Sequence, residues 1–274
     1  MRCDTISLPC ATGAYLQTYL RESEYEYLRF SKRPCILICP GGGYSMVADR
    51  EAEPVALAFV RKGYQVFVLR YTIRENKALP PLGDKPMQEA ACAIRYIRQN
   101  AAQFGIDPDK ISVMGFSAGG HLAGCTGVFW NSRHIPGGED GLGRPNSMLL
   151  CYPVISSAQH AHRGSFENLT GMKDACPQND DYSLELHATS QTPPAFIWHT
   201  VKDNAVDVEN ALLMASALQK QGVMYELHIF SDGLHGSALA DGEVGEDLPA
   251  KQWLEAALKW LDARGLGPVP AVHK

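Results

Sequence analysis

The chain has 274 residues, 45% of them hydrophobic and 20% charged, with a formal net charge of −5. That length suits one α/β domain with insertions, and that composition excludes disorder over most of the chain. The acidic balance argues against nucleic acid or an anionic membrane surface as partner, and no apolar run of about 18 residues exists to cross a bilayer.

The opening residues, Met1-Arg2-Cys3-Asp4, bring in an acid early, and no apolar signal core of roughly 7–15 residues follows. The sequence as given reads as cytoplasmic unless a leader has been removed. Residues up to about Phe30 read as short strands and turns. From Cys35 onward the pattern alternates. Cys35–Cys39 is a continuous apolar run that stops at a Gly-rich turn, Pro40-Gly41-Gly42-Gly43-Tyr44. Glu51–Lys62 has helical composition, with Pro54 in its first turn and Gly63 at its end. Tyr64–Tyr71 holds the apolar run Val66–Leu69.

From Pro86 to Phe104, the residues Met87, Ala90, Ala91, Ile94, Ile97, Ala101 and Phe104 share one helical face. Gly105-Ile106-Asp107-Pro108 should end that helix. Ile111–Met114 reads as a strand and Ser117–Phe129 as a helix. Met148–Tyr152 and Ala195–His199 are two more apolar strands. A helix from about Val208 to Gln221, capped by Asp207, a strand Tyr225–Phe230 and a helix Pro249–Ala263 complete the chain. Such alternation predicts a mostly parallel sheet with helices on both faces, joined by right-handed crossovers. Two stretches break the rhythm, at about 131–146 and 155–193. The second is too long for an ordinary connection and reads as a small cap within one domain spanning 1–274.

Gly115-Phe116-Ser117-Ala118-Gly119 follows a strand and opens a helix. A chain that turns this sharply needs glycines where a Cβ would crowd the turn, and it thrusts the serine out above the sheet. The helix N-terminus then offers N–H groups and positive potential to a developing oxyanion. Ser117 is thus the candidate nucleophile. Gly41 and Gly42 in the earlier loop, with Ala118 behind the serine, are the candidate oxyanion-hole donors. A phosphate loop is the rival for the glycines, but neither Gly-x-Gly-x-x-Gly nor a Gly-Lys-Ser/Thr ending is present.

A serine hydroxyl needs a base. Of nine histidines, His235 lies in a loop just after the last strand, which returns to the sheet edge where Ser117 sits. His121 is on the elbow helix and should pack beneath the turn. His199 ends a strand and should have a hydrogen-bonding role. His134, His160, His162 and His187 fall in or near the insertions, with surface placement as the default. Asp203, just beyond Ala195–His199, is the candidate acid, and Asp207 is its competitor. The eight cysteines form no Cys-x-x-Cys pair and no histidine pair has metal spacing, so no metal site is expected and the cysteines read as small buried hydrophobes.

Together these residues resemble the esterase/lipase branch of the α/β-hydrolase superfamily, and within it the bacterial acetyl esterase, or acetylxylan-esterase-like, group. Pro40–Tyr44, Arg50–Pro54, Gly115–His121, His199–Val206 and His235-Gly236 carry the resemblance over about Cys35 to Leu261. It implies the α/β-hydrolase fold, a Ser-Asp-His triad, an acyl-enzyme and no metal or organic cofactor. The implied substrate is a short-chain, acetyl ester, of a sugar or oligosaccharide. Members of the group often form homo-oligomers. Pro40 stands where related esterases have His, so a lipase-like chain-length preference does not carry over; Asp207 stands where they often have Pro, a departure from the pattern that follows the acid. The competing readings are a peptidase or amidase on the same fold and a non-catalytic ligand receptor.

Overall fold

The computed structural model describes residues 1–9, 13–22, 32–243, 245 and 247–269. Cys10 and residues 23–31, part of the expected N-terminal strands and turns, lie outside the described residues. Among the described residues eight strands form one sheet in the order β1-β2-β4-β3-β5-β6-β7-β8. They are β1 (Thr5–Ser7), β2 (Tyr15–Tyr19), β3 (Arg33–Cys39), β4 (Gln65–Arg70), β5 (Ile106–Phe116), β6 (Ser147–Cys151), β7 (Ala195–Thr200) and β8 (Tyr225–Phe230). β1 and β2 pair antiparallel at one edge, and β4 through β8 run parallel. The chain has the α/β-hydrolase fold.

The apolar strand runs make sense once each face of the sheet is followed. Side chains alternate across a strand. Leu37, Phe67, Val113, Leu150 and Ile197 face one core, with Ile94, Leu122 and Met214 from α2 (Lys85–Gln99), α4 (Ala118–Val128) and α8 (Glu209–Lys220). Ile36, Ile38, Val66, Val68 and Met114 face the other, with Phe59 from α1 (Glu53–Arg61) and Trp253 and Trp260 from α9 (Gln252–Ala263). Both faces being covered, a strand such as β3 is buried at every position.

Three details differ from the sequence reading. The expected helix Pro86–Phe104 breaks at Asn100, whose side chain donates to the Tyr96 carbonyl at 2.8 Å, and α3 (Ala101–Phe104) follows as a separate turn. Strand β5 begins at Ile106, through Asp107 and Pro108, because Ile106 pairs with Arg33 across a register shift that tolerates the missing Pro N–H. Cys35, Cys39, Cys125 and Cys151 are buried free thiols as expected, but Cys92 is disulfide-bonded.

The 155–193 stretch carries three short helices, α5 (Arg163–Thr170), α6 (Pro177–Asp180) and α7 (Leu184–His187). It lies over the carboxyl edge of the sheet, tied there by the Asn168 amide donating to the Gly43 carbonyl at 2.8 Å. A small apolar cluster of Val154, Phe166 and Val206 sits beneath it.

Candidate active site

Ser117 sits between β5 and α4 with φ 54 and ψ −122, a conformation that costs a non-glycine residue energy. Two glycines make the turn possible. A Cβ on Gly115 would collide with the Gly119 carbonyl, and one on Gly119 would collide with the Cys39 carbonyl. The turn is pinned to β6, since Ser117 N–H donates to Cys151 O and Val154 N–H to Ser117 O, both at 3.0 Å.

His235 stands in the loop after β8, and its Nε2 lies 2.7 Å from Ser117 Oγ. Its Nδ1 lies 2.7 Å from Asp203 Oδ2. A carboxylate only accepts, so Nδ1 carries the proton and Nε2 is left to accept from the serine. Asp203 Oδ1 takes the N–H groups of Ala205 and Val206, each at 2.9 Å. Burial acts to raise the Asp203 pKa. The His235 hydrogen bond and charge and the two backbone donors outweigh it, and the carboxyl is held below its usual range. His199 backs this group: its Nδ1 accepts the Thr200 N–H at 2.9 Å, and burial lowers its pKa, so the imidazole beside Asp203 is neutral.

Asp207 does not reach His235. Its Oδ1 accepts the Glu209 N–H at 3.0 Å, at the start of α8, and its Oδ2 pairs with His160 Nδ1 at 2.6 Å.

The candidate oxyanion loop departs from the expectation at Gly41. Gly41, expected as a donor, gives its N–H to Glu51 Oε2 at 2.6 Å, so that hydrogen is committed to a buried carboxylate. The Gly42 N–H has no hydrogen-bond partner among the described residues, and its backbone is turned by a φ of +126. Ala118 is the first residue of α4, where an N–H has no partner within the helix.

Beneath the loop lies a chain of buried groups. His121 Nε2 donates to the Tyr182 carbonyl at 2.7 Å, so its Nδ1 accepts from the Tyr44 hydroxyl at 2.8 Å. Burial pushes the His121 pKa down to about 4. The expectation that this histidine packs beneath the elbow thus describes its place, and the contact to Tyr182 adds a tie to the insertion. His134, expected at the surface, is buried against Asp84 at 2.7 Å, because Asp84 also accepts from Tyr182 and the three close the seam between the two insertions. His162 is half-buried, faces Gly43 and bonds Ser165 Oγ at 2.8 Å. Burial and the charge of His235 hold its pKa below the ordinary value.

Sequence reasoning missed Glu51 and Tyr152. A carboxylate beside the Gly-rich loop was visible in Arg50–Pro54, but its partner Tyr152 lies 101 residues away. Among the described residues no cluster of three or more His, Cys, Asp or Glu could hold a metal ion, and no helix is long and apolar enough to cross a membrane.

Residues 26–148 match the BD-FAE family model and residues 154–263 the prolyl oligopeptidase family model. The endo-1,4-beta-xylanase B of Butyrivibrio fibrisolvens is 37% identical over 214 residues, 77% of this chain and 34% of that protein. The acetylxylan esterase of Xylanibacter ruminicola is 31% identical over 203 residues, 72% of this chain and 39% of its own length. The chain therefore spans little more than a third of the length of these two relatives. The structure of an acetyl ester-xyloside bifunctional hydrolase from Caldicellulosiruptor lactoaceticus superposes with a TM-score of 0.81 at 36% identity, covering 96% of this chain and 97% of that one. The chain belongs to the α/β-hydrolase superfamily, in the group that contains the acetyl esterases and carboxylesterases.

Proposed function

We propose that this protein hydrolyses short-chain carboxylic esters, with acetyl groups on sugars or xylo-oligosaccharides as its substrates, through an acyl-enzyme on Ser117. The observation that carries this reading is the relay Asp203–His235–Ser117, each contact 2.7 Å long, at the N-terminus of α4. Ser117 Oγ attacks the ester carbonyl while His235 Nε2 takes its proton. The carbonyl oxygen becomes an oxyanion held by the N–H groups of Gly42 and Ala118. The C–O bond to the alcohol then breaks, and His235 returns the proton to the leaving oxygen. Water, deprotonated by the same imidazole, attacks the acyl-serine; the acyl carbon–Oγ bond breaks, the carboxylic acid leaves and His235 returns the proton to Ser117 Oγ. The xylan-related names of the relatives support the sugar as alcohol. Beside His235 a groove lined by Lys202, Asp232, Leu234, Leu248 and Pro249 offers room on the leaving-group side. The polar insertion 155–193 caps the site.

The test joins three measurements. A fluorophosphonate probe should label the wild type and leave Ser117→Ala unlabelled. The wild type should turn over p-nitrophenyl acetate and release acetate from acetylated xylo-oligosaccharides. Ser117→Ala should lose ester turnover by several orders of magnitude without change in fold. Near-wild-type turnover by that variant would refute the assignment, and cleavage of acyl anilides in preference to esters would move it to the amidases.

A further inference from the structure

We propose that Glu51 is a positioning residue for this reaction: its buried carboxylate holds the oxyanion loop on one side and, through Tyr152, the His235 loop on the other. The inference rests on the ester-hydrolase reading of Ser117. Glu51 is 1% exposed, in a 3-10 turn, Asp49–Glu51, that follows the oxyanion loop. Its Oε2 accepts the Gly41 N–H at 2.6 Å and its Oε1 accepts the Tyr152 hydroxyl at 2.8 Å. The Tyr152 oxygen in turn accepts the Ala238 N–H at 3.0 Å, three residues past His235. The Tyr152 ring also meets the His235 ring edge-on, centroids 5.1 Å apart. Arg50, in the same turn, donates from Nε to the Gly236 carbonyl at 2.9 Å. One short turn thus touches both halves of the catalytic apparatus.

A carboxylate is an expensive group to bury, so its presence here asks for a reason. The geometry supplies one. Taking the Gly41 N–H into the interior fixes the orientation of that peptide, and the next residue, Gly42, is turned by its positive φ with its own N–H left without a partner among the described residues. The carboxylate has two acceptor oxygens and no hydrogen, and it meets two donors. A glutamine has one acceptor oxygen and an NH₂ group, so it would orphan either the Gly41 N–H or the Tyr152 hydroxyl hydrogen. Burial holds the Glu51 pKa above its ordinary value, against the opposing pull of the Gly41 and Tyr152 hydrogen bonds and of the nearby Arg50 and His235.

The experiment compares purified wild type, Glu51→Gln and Tyr152→Phe. It reads kcat and KM for p-nitrophenyl acetate, the affinity of a trifluoromethyl ketone and the melting temperature. The ketone adds to the serine and presents an oxyanion, so its binding reports the loop geometry directly. Glu51→Gln should lower kcat by about 10²-fold, the scale of a displaced oxyanion donor, and weaken the ketone in parallel. Its KM should stay within about threefold, as expected for an interaction realised in the transition state. Tyr152→Phe, which removes one oxygen and keeps the ring, should lower kcat roughly tenfold, the worth of one ordinary hydrogen bond. A folded Glu51→Gln with wild-type kcat and ketone affinity, or with a loss in KM alone, overturns the proposal. Should Glu51→Gln not fold, wild-type kcat in folded Tyr152→Phe overturns it. A wild type that turns over no ester and takes up no fluorophosphonate defeats the parent reading and this one with it. An active wild type beside an unimpaired Glu51→Gln defeats this one alone.

Discussion

His235 Nδ1 and Asp203 Oδ2 stand 2.7 Å apart, and the side chain of Asp203 is 1% exposed. Asp207, four residues on, spends its two oxygens on the Glu209 N–H and on His160. Asp203→Asn should therefore lower kcat about 10⁴-fold, because an amide can hold the imidazole in the wrong tautomer. Asp207→Asn should keep activity near wild type, since asparagine also caps a helix. Steady-state kinetics on p-nitrophenyl acetate decide between them. A larger loss in Asp207→Asn means that the acid has been misassigned.

Gly42 has a φ of +126, and a Cβ there would collide with the Met46 carbonyl. Gly42→Ala should displace the loop and cost about 10²-fold in kcat, as loss of one oxyanion donor does elsewhere. The folded state should lose about 1–3 kcal/mol through backbone strain. Turnover and urea melts measure the two effects. An unchanged kcat would remove Gly42 from the oxyanion hole.

Chain-length preference tests the short-chain reading, and the groups beside the loop are polar. His162 faces Gly43, and Asn168 holds the Gly43 carbonyl. An apolar acyl tunnel would gain about 0.8 kcal/mol per methylene, and polar walls forgo that gain. The expected order of kcat/KM for p-nitrophenyl esters is acetyl above butyryl, and butyryl far above octanoyl and decanoyl. A rise toward octanoyl would point to an acyl pocket of lipase type.

Buried His121 should give the protein an acid-sensitive stability. Its pKa is lowered from 6.5 to about 4 by burial, so the unfolded chain binds a proton that the folded chain refuses. The stability from neutral His121 is complete above pH 6.5 and is lost as the pH falls from there toward 4, by about 3 kcal/mol in all. His121→Asn should be less stable at pH 7.5 and should show a correspondingly shallower decline over that interval. Chemical denaturation at stepped pH checks it, and parallel curves for the two proteins would rule out His121 as the source.

Much of this was open to a reader of the chain alone. The candidate order Ser117, Asp203, His235 came from the resemblance, while the alternation of buried strands and amphipathic helices and the glycines around Ser117 follow from periodicity and backbone sterics. Those act over a few residues and leave a local mark. The polar character of 155–193 was visible too, but not its use. Asn179 is buried and donates to backbone carbonyls of the insertion, and Asp180 accepts from Ser157, so these groups hold the insertion together, while Asn168 ties it to Gly43.

Only the tertiary structure decided which glycine N–H is free. Gly41 and Gly42 are the same residue type in adjacent positions, and the difference between them is the Glu51 carboxylate. That carboxylate is placed by Tyr152, and Tyr152 by Ala238. The last two links join residues 101 and 86 positions apart, and hydrogen bonds of that kind have no local pattern. They exist only after the sheet has brought β3, β6 and the His235 loop to one edge, where burial makes an unpaired donor or acceptor too costly to leave.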